Sequence, residues 1–231
     1  VLRADRKSSY FSSTAARSNA YSLPDYLKGD NILIRSKKEL IEYLKADKEA
    51  LGIKKKFPMP FKDEIWRFER LLRYTEYMVN VKQGWISRIF LIFYKTRFHH
   101  LSVRLGFSIP LNVFGKGLSI AHYGTIVVNE KAKIGEFCRI QENVTIGATS
   151  GSEKAPKIGD RVFIGSGAKI IGDITIEDDI AIGAGSVVVK SVDEPHITIA
   201  GVPARKISNK GSECFLITGD GSEKSQHFRI S

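Results

Sequence analysis

Cysteine and methionine are scarce: the 231 residues hold only Cys138 and Cys214, Met59 and Met78. The two cysteines lie far apart with no Cys or His at ligand spacing, which argues against a disulfide framework and against any metal site built on them. Long apolar runs are missing too. The most apolar stretch, Ile86 to Leu105, is interrupted by Arg88, Lys95, Arg97 and Arg104, so no transmembrane segment is expected. No compact apolar block follows a basic start, and with this cysteine usage the expectation is a cytoplasmic protein. Acidic residues are outnumbered, 25 against 36 Lys and Arg, for a formal charge of +11. That excess is spread over both halves and brings no recognition motif, so no nucleic-acid partner is expected; smaller polyanions or an anionic surface answer the charge equally well.

What is present divides the chain into four. Residues 1–31 and 208–231 are polar, Ser-containing flanks without a period and read as poorly ordered. Residues 32–106 read as helical. Ser36 with Glu39 three positions on forms a capping box ahead of Leu40, Ile41, Leu44 and Leu51; a second helix runs from about Asp63 to Val79 and a third from about Ile86 to Leu105, stopped by Gly106. The third is basic and aromatic. Docking on the other helices or on the following domain is its expected role, and contact with an anionic membrane the alternative.

Over residues 107–207 the period changes to six. Phe114, Ile120 and Ile126 are followed by a slip of two to Val128, then Ile134, Ile140 and Ile146; the series resumes with Ile158, Ile164, Ile170, Ile176, Ile182 and Val188. A second inward set sits four places on from ladder positions: Ala132, Cys138, Val144, Val162, Ala168, Ile174, Ile180 and Ser186. An α-helix cannot hold this pattern, because six residues make about 1.7 turns and the apolar positions would wander round the cylinder. A parallel β-helix can: each hexad is a strand and a turn, and three hexads close one coil. The fold class is therefore mainly β, a parallel β-helix behind a small helical domain. The segment Gly147 to Lys157 breaks the ladder and is expected to loop out, the kind of excursion on which function concentrates. Its GATSGSEK sequence lacks the spacing of a phosphate-binding P-loop.

The segments SIAHYGTIVVNEKAKIGEFCRIQENVTIGATSG, PKIGDRVFIGSGAKIIGDITIEDDIAIGAGSVVVKSV and AGVPARKI resemble hexapeptide-repeat acyltransferases, in particular serine O-acetyltransferases and capsular polysaccharide O-acetyltransferases. The resemblance covers about residues 106–207. It implies a left-handed coil, acetyl-CoA as co-substrate with no metal, and a homotrimer or dimer of trimers with acetyl-CoA between neighbouring prisms. The family's general base maps onto His122. Small residues along the coil edges would hold the pantetheine arm: Gly147, Ala148, Thr149, Ser166, Gly167, Ala168, Ala184 and Gly185. Lys190, Arg205 and Lys206 would meet the phosphates.

A histidine suits the base because its ordinary pKa lies near neutrality, and backbone N–H groups at Gly-rich turns suit a developing oxyanion. The plain alternative for His122 is a solvated surface histidine, and for each glycine a corner of the solenoid. Four family positions differ. The residue before the histidine is Ala121, the upstream Asp is Phe107, and an Arg-His pair is Lys154-Ala155. The orienting partner of His122 is left open among Glu130, Glu142 and a backbone carbonyl. His99, His100 and His196 read as structural or surface residues, and Cys138 as core. With these acceptor-side groups replaced, the expected reaction is acetyl transfer to a hydroxyl of a glycan or sugar precursor. Serine acetylation and a non-catalytic scaffold stand as the alternatives.

Overall fold

The computed structural model describes residues 32–59, 61–81 and 84–217; the flank 1–31 and residues 218–231 lie outside the described residues. Helix α1 (Lys37–Ala50) starts at Ser36, whose Oγ accepts the Glu39 N–H at 3.1 Å, while the Glu39 carboxylate accepts the Arg35 N–H at 2.6 Å. Helices α2 (Glu64–Asn80) and α3 (Trp85–Leu105) form an antiparallel pair, held by Phe68 stacked on Phe98 and Tyr74 on Tyr94. Gly106, at φ 80°, ends α3 in the left-handed conformation that glycine tolerates best.

Three sheets follow, and the chain visits them in rotation. The first contains β1 (Phe107–Ser108), β3 (Ile126–Val128), β6 (Thr145–Gly147), β9 (Lys169–Ile171) and β12 (Val187–Val188). The second contains β4 (Lys133–Ile134), β7 (Lys157–Ile158) and β10 (Thr175–Ile176). The third contains β2 (Ser119–Ile120), β5 (Arg139–Ile140), β8 (Phe163–Ile164), β11 (Ala181–Ile182), β13 (Thr198–Gly201) and β14 (Ala204–Ser208). Strands pair in parallel with the coil above and below, Ile140 with Ile164 and Ile146 with Ile170. The exception is β14, which folds back antiparallel on β13 as the AGVPARK segment turns. The six-residue ladder is the core: Ile134, Ile140, Ile146, Ile164, Ile170 and Ile182 are fully buried, with Val144, Val162 and Ala168 behind them. At the corners a glycine is often imposed by the next coil. A Cβ on Gly135 would fall 2.7 Å from the Gly159 backbone.

The helices seal one end of this solenoid. An exposed coil edge leaves backbone donors and acceptors without partners, and α1 and α2 supply them. The Arg73 guanidinium, fully buried, donates to the carbonyls of Phe114 (2.9 Å) and Gly115 (2.6 Å), to Asp47 at 2.8 Å and to Glu76 at 3.0 Å. Asp47 accepts the N–H groups of Gly117 and Leu118, Glu76 that of Asn112, and Glu69 that of Ile120. Residues 208–217, expected to be a flexible tail, pack back on the solenoid. Ser212 is fully buried, its Oγ donating to the Arg161 carbonyl, and Phe215 stacks on Phe163 at 4.6 Å.

Candidate active site on one edge of the solenoid

The slip in the ladder is a corner with two extra residues. Eight positions separate Ile120 from Val128, against six from Ile140 to Ile146 across the same corner of the next coil. The extra length carries His122 and Tyr123 out into solvent. Gly124, at φ 143°, lies against Glu142, so that a Cβ there would sit 3.1 Å from the Glu142 Cβ.

Register then lines up two side chains. Ile140 and Ile164 are stacked partners, so Glu142 and Ser166 follow one another along the edge, with Gly124 against Glu142 and His122 close by on the two extra residues. The bonds Ala121 N–H to the Ile140 carbonyl and Gln141 N–H to the Ile164 carbonyl, both 3.0 Å, fix that stacking. Ser166 Oγ donates to Glu142 Oε1 at 2.5 Å. Glu142 Oε2 is shielded from solvent and has no hydrogen-bond partner among the described residues. The Ser166 hydrogen bond first, its own backbone N–H second and the nearby His122 last, against the opposing effect of burial, hold the Glu142 carboxyl below its ordinary range, so it is ionised at neutral pH. An exposed imidazole beside an anchored carboxylate with a free oxygen can take up and release a proton.

The remaining predicted residues fall into groups that one chain does not unite. Ser166, Gly167, Ala184 and Gly185 share the His122 edge, where the Gly185 N–H meets the Ser166 carbonyl at 2.8 Å. The side chain of Ala168 points into the core and cannot line a groove. Gly147, Ala148 and Thr149 leave the end of β6, at the next corner of the prism. Lys190, Arg205 and Lys206 line one cavity of about 280 Å³ at the far end, with Lys206 Nζ on Glu194.

Other candidates sort by burial. Cys138 is in the core, and burial pushes its thiol up to about 12, so it is no nucleophile. Phe107 is 4 % exposed and packs edge-on against Phe68 at 4.9 Å. Lys154, in the excursion, reaches Asp173 at 2.8 Å. His196, read from sequence as a surface residue, has a partner that reading missed: its Nδ1 lies 2.5 Å from Asp179 Oδ2. Burial pushes Asp179 up, but hydrogen bonds with His196 and Ser212 outweigh it and hold the carboxyl below its usual range. Nothing at the hexad level signals that pair, because the residues meet only once the coils stack. Among the described residues no group of three or more His, Cys, Asp or Glu is placed to hold a metal, and no helix is long and apolar enough to cross a membrane.

Comparison with known proteins bears on this edge. The bacterial transferase hexapeptide (six repeats) family matches residues 155–190. Serine acetyltransferase of Escherichia coli K12 is 44% identical over 106 residues, 45% of this chain and 38% of that protein; the Mycobacterium tuberculosis enzyme is 41% identical over 100 residues, 42% and 43% of the two. The chain thus matches less than half the length of these curated relatives. Among solved structures, Brucella abortus serine acetyltransferase in complex with coenzyme A superposes with TM-score 0.58 at 31% identity, covering 76% of this chain and 70% of that one. The Neisseria gonorrhoeae enzyme in complex with serine gives 0.52 at 30%, covering 73% and 69%. These relatives correct the expected acceptor. A glycan or sugar hydroxyl was inferred from replaced side chains, but the proteins that match are serine acetyltransferases. Of the replaced positions, Phe107 packs against α2, and a carboxylate from the next coil, Glu142, lies near His122.

Proposed function

The chain belongs to the hexapeptide-repeat acyltransferases, in the serine acetyltransferase-like group, and on that premise we propose that it acetylates the hydroxyl of L-serine from acetyl-CoA. The observation that carries this reading is the exposed His122 near Glu142, whose carboxylate Ser166 anchors. His122 removes the serine hydroxyl proton as the oxygen attacks the thioester carbonyl. The C–O bond forms, the tetrahedral intermediate collapses with cleavage of the C–S bond, and the proton passes from His122 to the departing thiolate. O-acetylserine and free coenzyme A result. Glu142 orients the imidazole through its free oxygen and offsets the positive charge that forms on it. Backbone N–H groups of the Gly-rich corners stabilise the oxyanion.

The coil is taken as left-handed, after the family. Residues 32–106 act as the seal and 107–207 as the acyltransferase domain. Small residues of the His122 edge face the pantetheine arm, while Gly147, Ala148 and Thr149 stand on another edge; a homotrimer unites such edges in the groove between neighbouring prisms. Lys190, Arg205 and Lys206 answer the coenzyme's phosphates, and the reaction is assigned to the cytoplasm, where acetyl-CoA is supplied. Thiol release from acetyl-CoA, followed with and without L-serine, tests the proposal. Serine-dependent release is expected. Absence of release, together with absence of a thermal shift on adding coenzyme A, overturns it.

A further inference from the structure

Helix α3 uses one side against α2 and leaves the other bare. Leu91, Tyr94, Phe98, Leu101 and Leu105, at spacings of three and four, are the covered stripe. On the opposite side Trp85, Ile89, Ile92 and Phe93 stand 53–74 % exposed. That is a contiguous apolar ridge of the kind a water-soluble surface rarely carries without a partner. Cations run along both flanks of the ridge, Arg88 and Lys95 on one and Arg97 on the other, all exposed, and α3 contains no acidic residue.

A second feature repeats the chemistry. The connection before α2, GIKKKFPMPFK, also lacks an acidic residue and presents Phe57, Met59 and Phe61 at 66, 49 and 82 % exposure between Lys54, Lys56 and Lys62. It is held in shape by Asp63, which accepts the Met59 N–H and pairs with Lys55. The contact of Glu64 with Arg104 sets this connection near the C-terminal end of α3.

We propose that the α3 ridge and residues 54–59 and 61–62 of the connection form a docking surface for an anionic phospholipid membrane. Aromatic and aliphatic side chains flanked by Lys and Arg, on a helix too charged to span, match a helix lying in the plane of the interface. The apolar ridge enters the acyl boundary and the cations meet headgroup phosphates. A second copy of the chain is the poorer occupant on charge. Two α3 ridges face to face would set Arg88, Lys95 and Arg97 against their own equivalents, with no acid on either feature to pair with them.

The protein carries its own probe, because its two tryptophans differ: Trp66 is 2 % exposed and Trp85 74 %. The full chain is mixed with phosphatidylcholine vesicles with and without phosphatidylglycerol, and flotation and tryptophan emission are read. Flotation with the anionic vesicles and a blue shift abolished by Trp85→Phe are expected, both weakened by salt. Ile89→Glu with Phe93→Glu should lower vesicle affinity by about tenfold or more, with the thermal melt and thiol release in solution unchanged. No flotation, or equal binding to neutral vesicles, overturns the proposal. So does a wild-type chain that fails to float while the double variant loses sedimenting mass, since the ridge is then a subunit contact.

Discussion

Glu69 at the sealed end of the solenoid and Glu142 at the His122 edge each leave one carboxylate oxygen without a partner among the described residues, and their protonation runs in opposite directions. Burial first, and the neighbouring Asp47 charge second, push Glu69 well above the ordinary carboxyl range; the Ile120 N–H and Arg73 do not compensate. Glu142 is held below that range by Ser166 first, then by its own backbone N–H and by His122. The same side chain is therefore driven to hold its proton in one place and to give it up in the other. Local surroundings decide this: a sealed interior disfavours charge, while an edge with a hydroxyl donor and an imidazole sustains it.

The largest loss of stability is expected at Arg73, whose guanidinium lies among the buried acids Asp47, Glu69 and Glu76. Arg73→Ala leaves Asp47 and Glu76 buried without their counter-ion and two solenoid carbonyls without their donor. A loss of about 3–5 kcal/mol is expected in urea unfolding. Glu142→Gln removes the charge but keeps the shape; kcat should fall by at least ~10-fold with the melting temperature unchanged. If Glu142 only braces the corner, the melt will move and kcat will not.

Glu69→Gln should have the smallest effect, and one that depends on pH. The raised pKa means that the folded chain keeps a proton the unfolded chain releases above about pH 4.3. That stability is present below this pH and is lost as pH rises through the folded value. The Gln variant retains the acceptor for the Ile120 N–H without ionising. Its stability should match wild type in acid and exceed it toward alkaline pH, which melts across a pH series will check.

How much of this was written in the sequence depends on the range of the contacts. The ladder from Ile134 to Val188 was legible because few structures sustain a six-residue period, and the His122 corner showed as its slip. The helix limits followed from Ser36 and Gly106. The seal was not legible: Arg73 and Asp47 meet across 26 positions, Asp47 and Leu118 across 71, and many of the partners are backbone groups that leave no pattern in side-chain types. Glu142 was one of several candidates in sequence, and its nearness to His122 shows only once the coils stack. The inward position of Ala168 was already implied by its place four residues after Ile164, and its assignment to the coenzyme groove went against that. The return of residues 208–217 onto the prism rests on contacts to distant coils that a polar stretch does not announce: Ser212 with Arg161 and Asp179, Lys210 with Thr198, and Phe215 with Phe163.

The proposed acetyl transfer to serine at the His122 edge is tested by kcat for serine-dependent thiol release in His122→Ala against wild type. His122 is exposed on the two-residue insertion, so the variant should fold and melt as wild type does. A fall of about 10²–10⁴-fold is expected for loss of a general base; near-wild-type turnover in the folded variant contradicts the account.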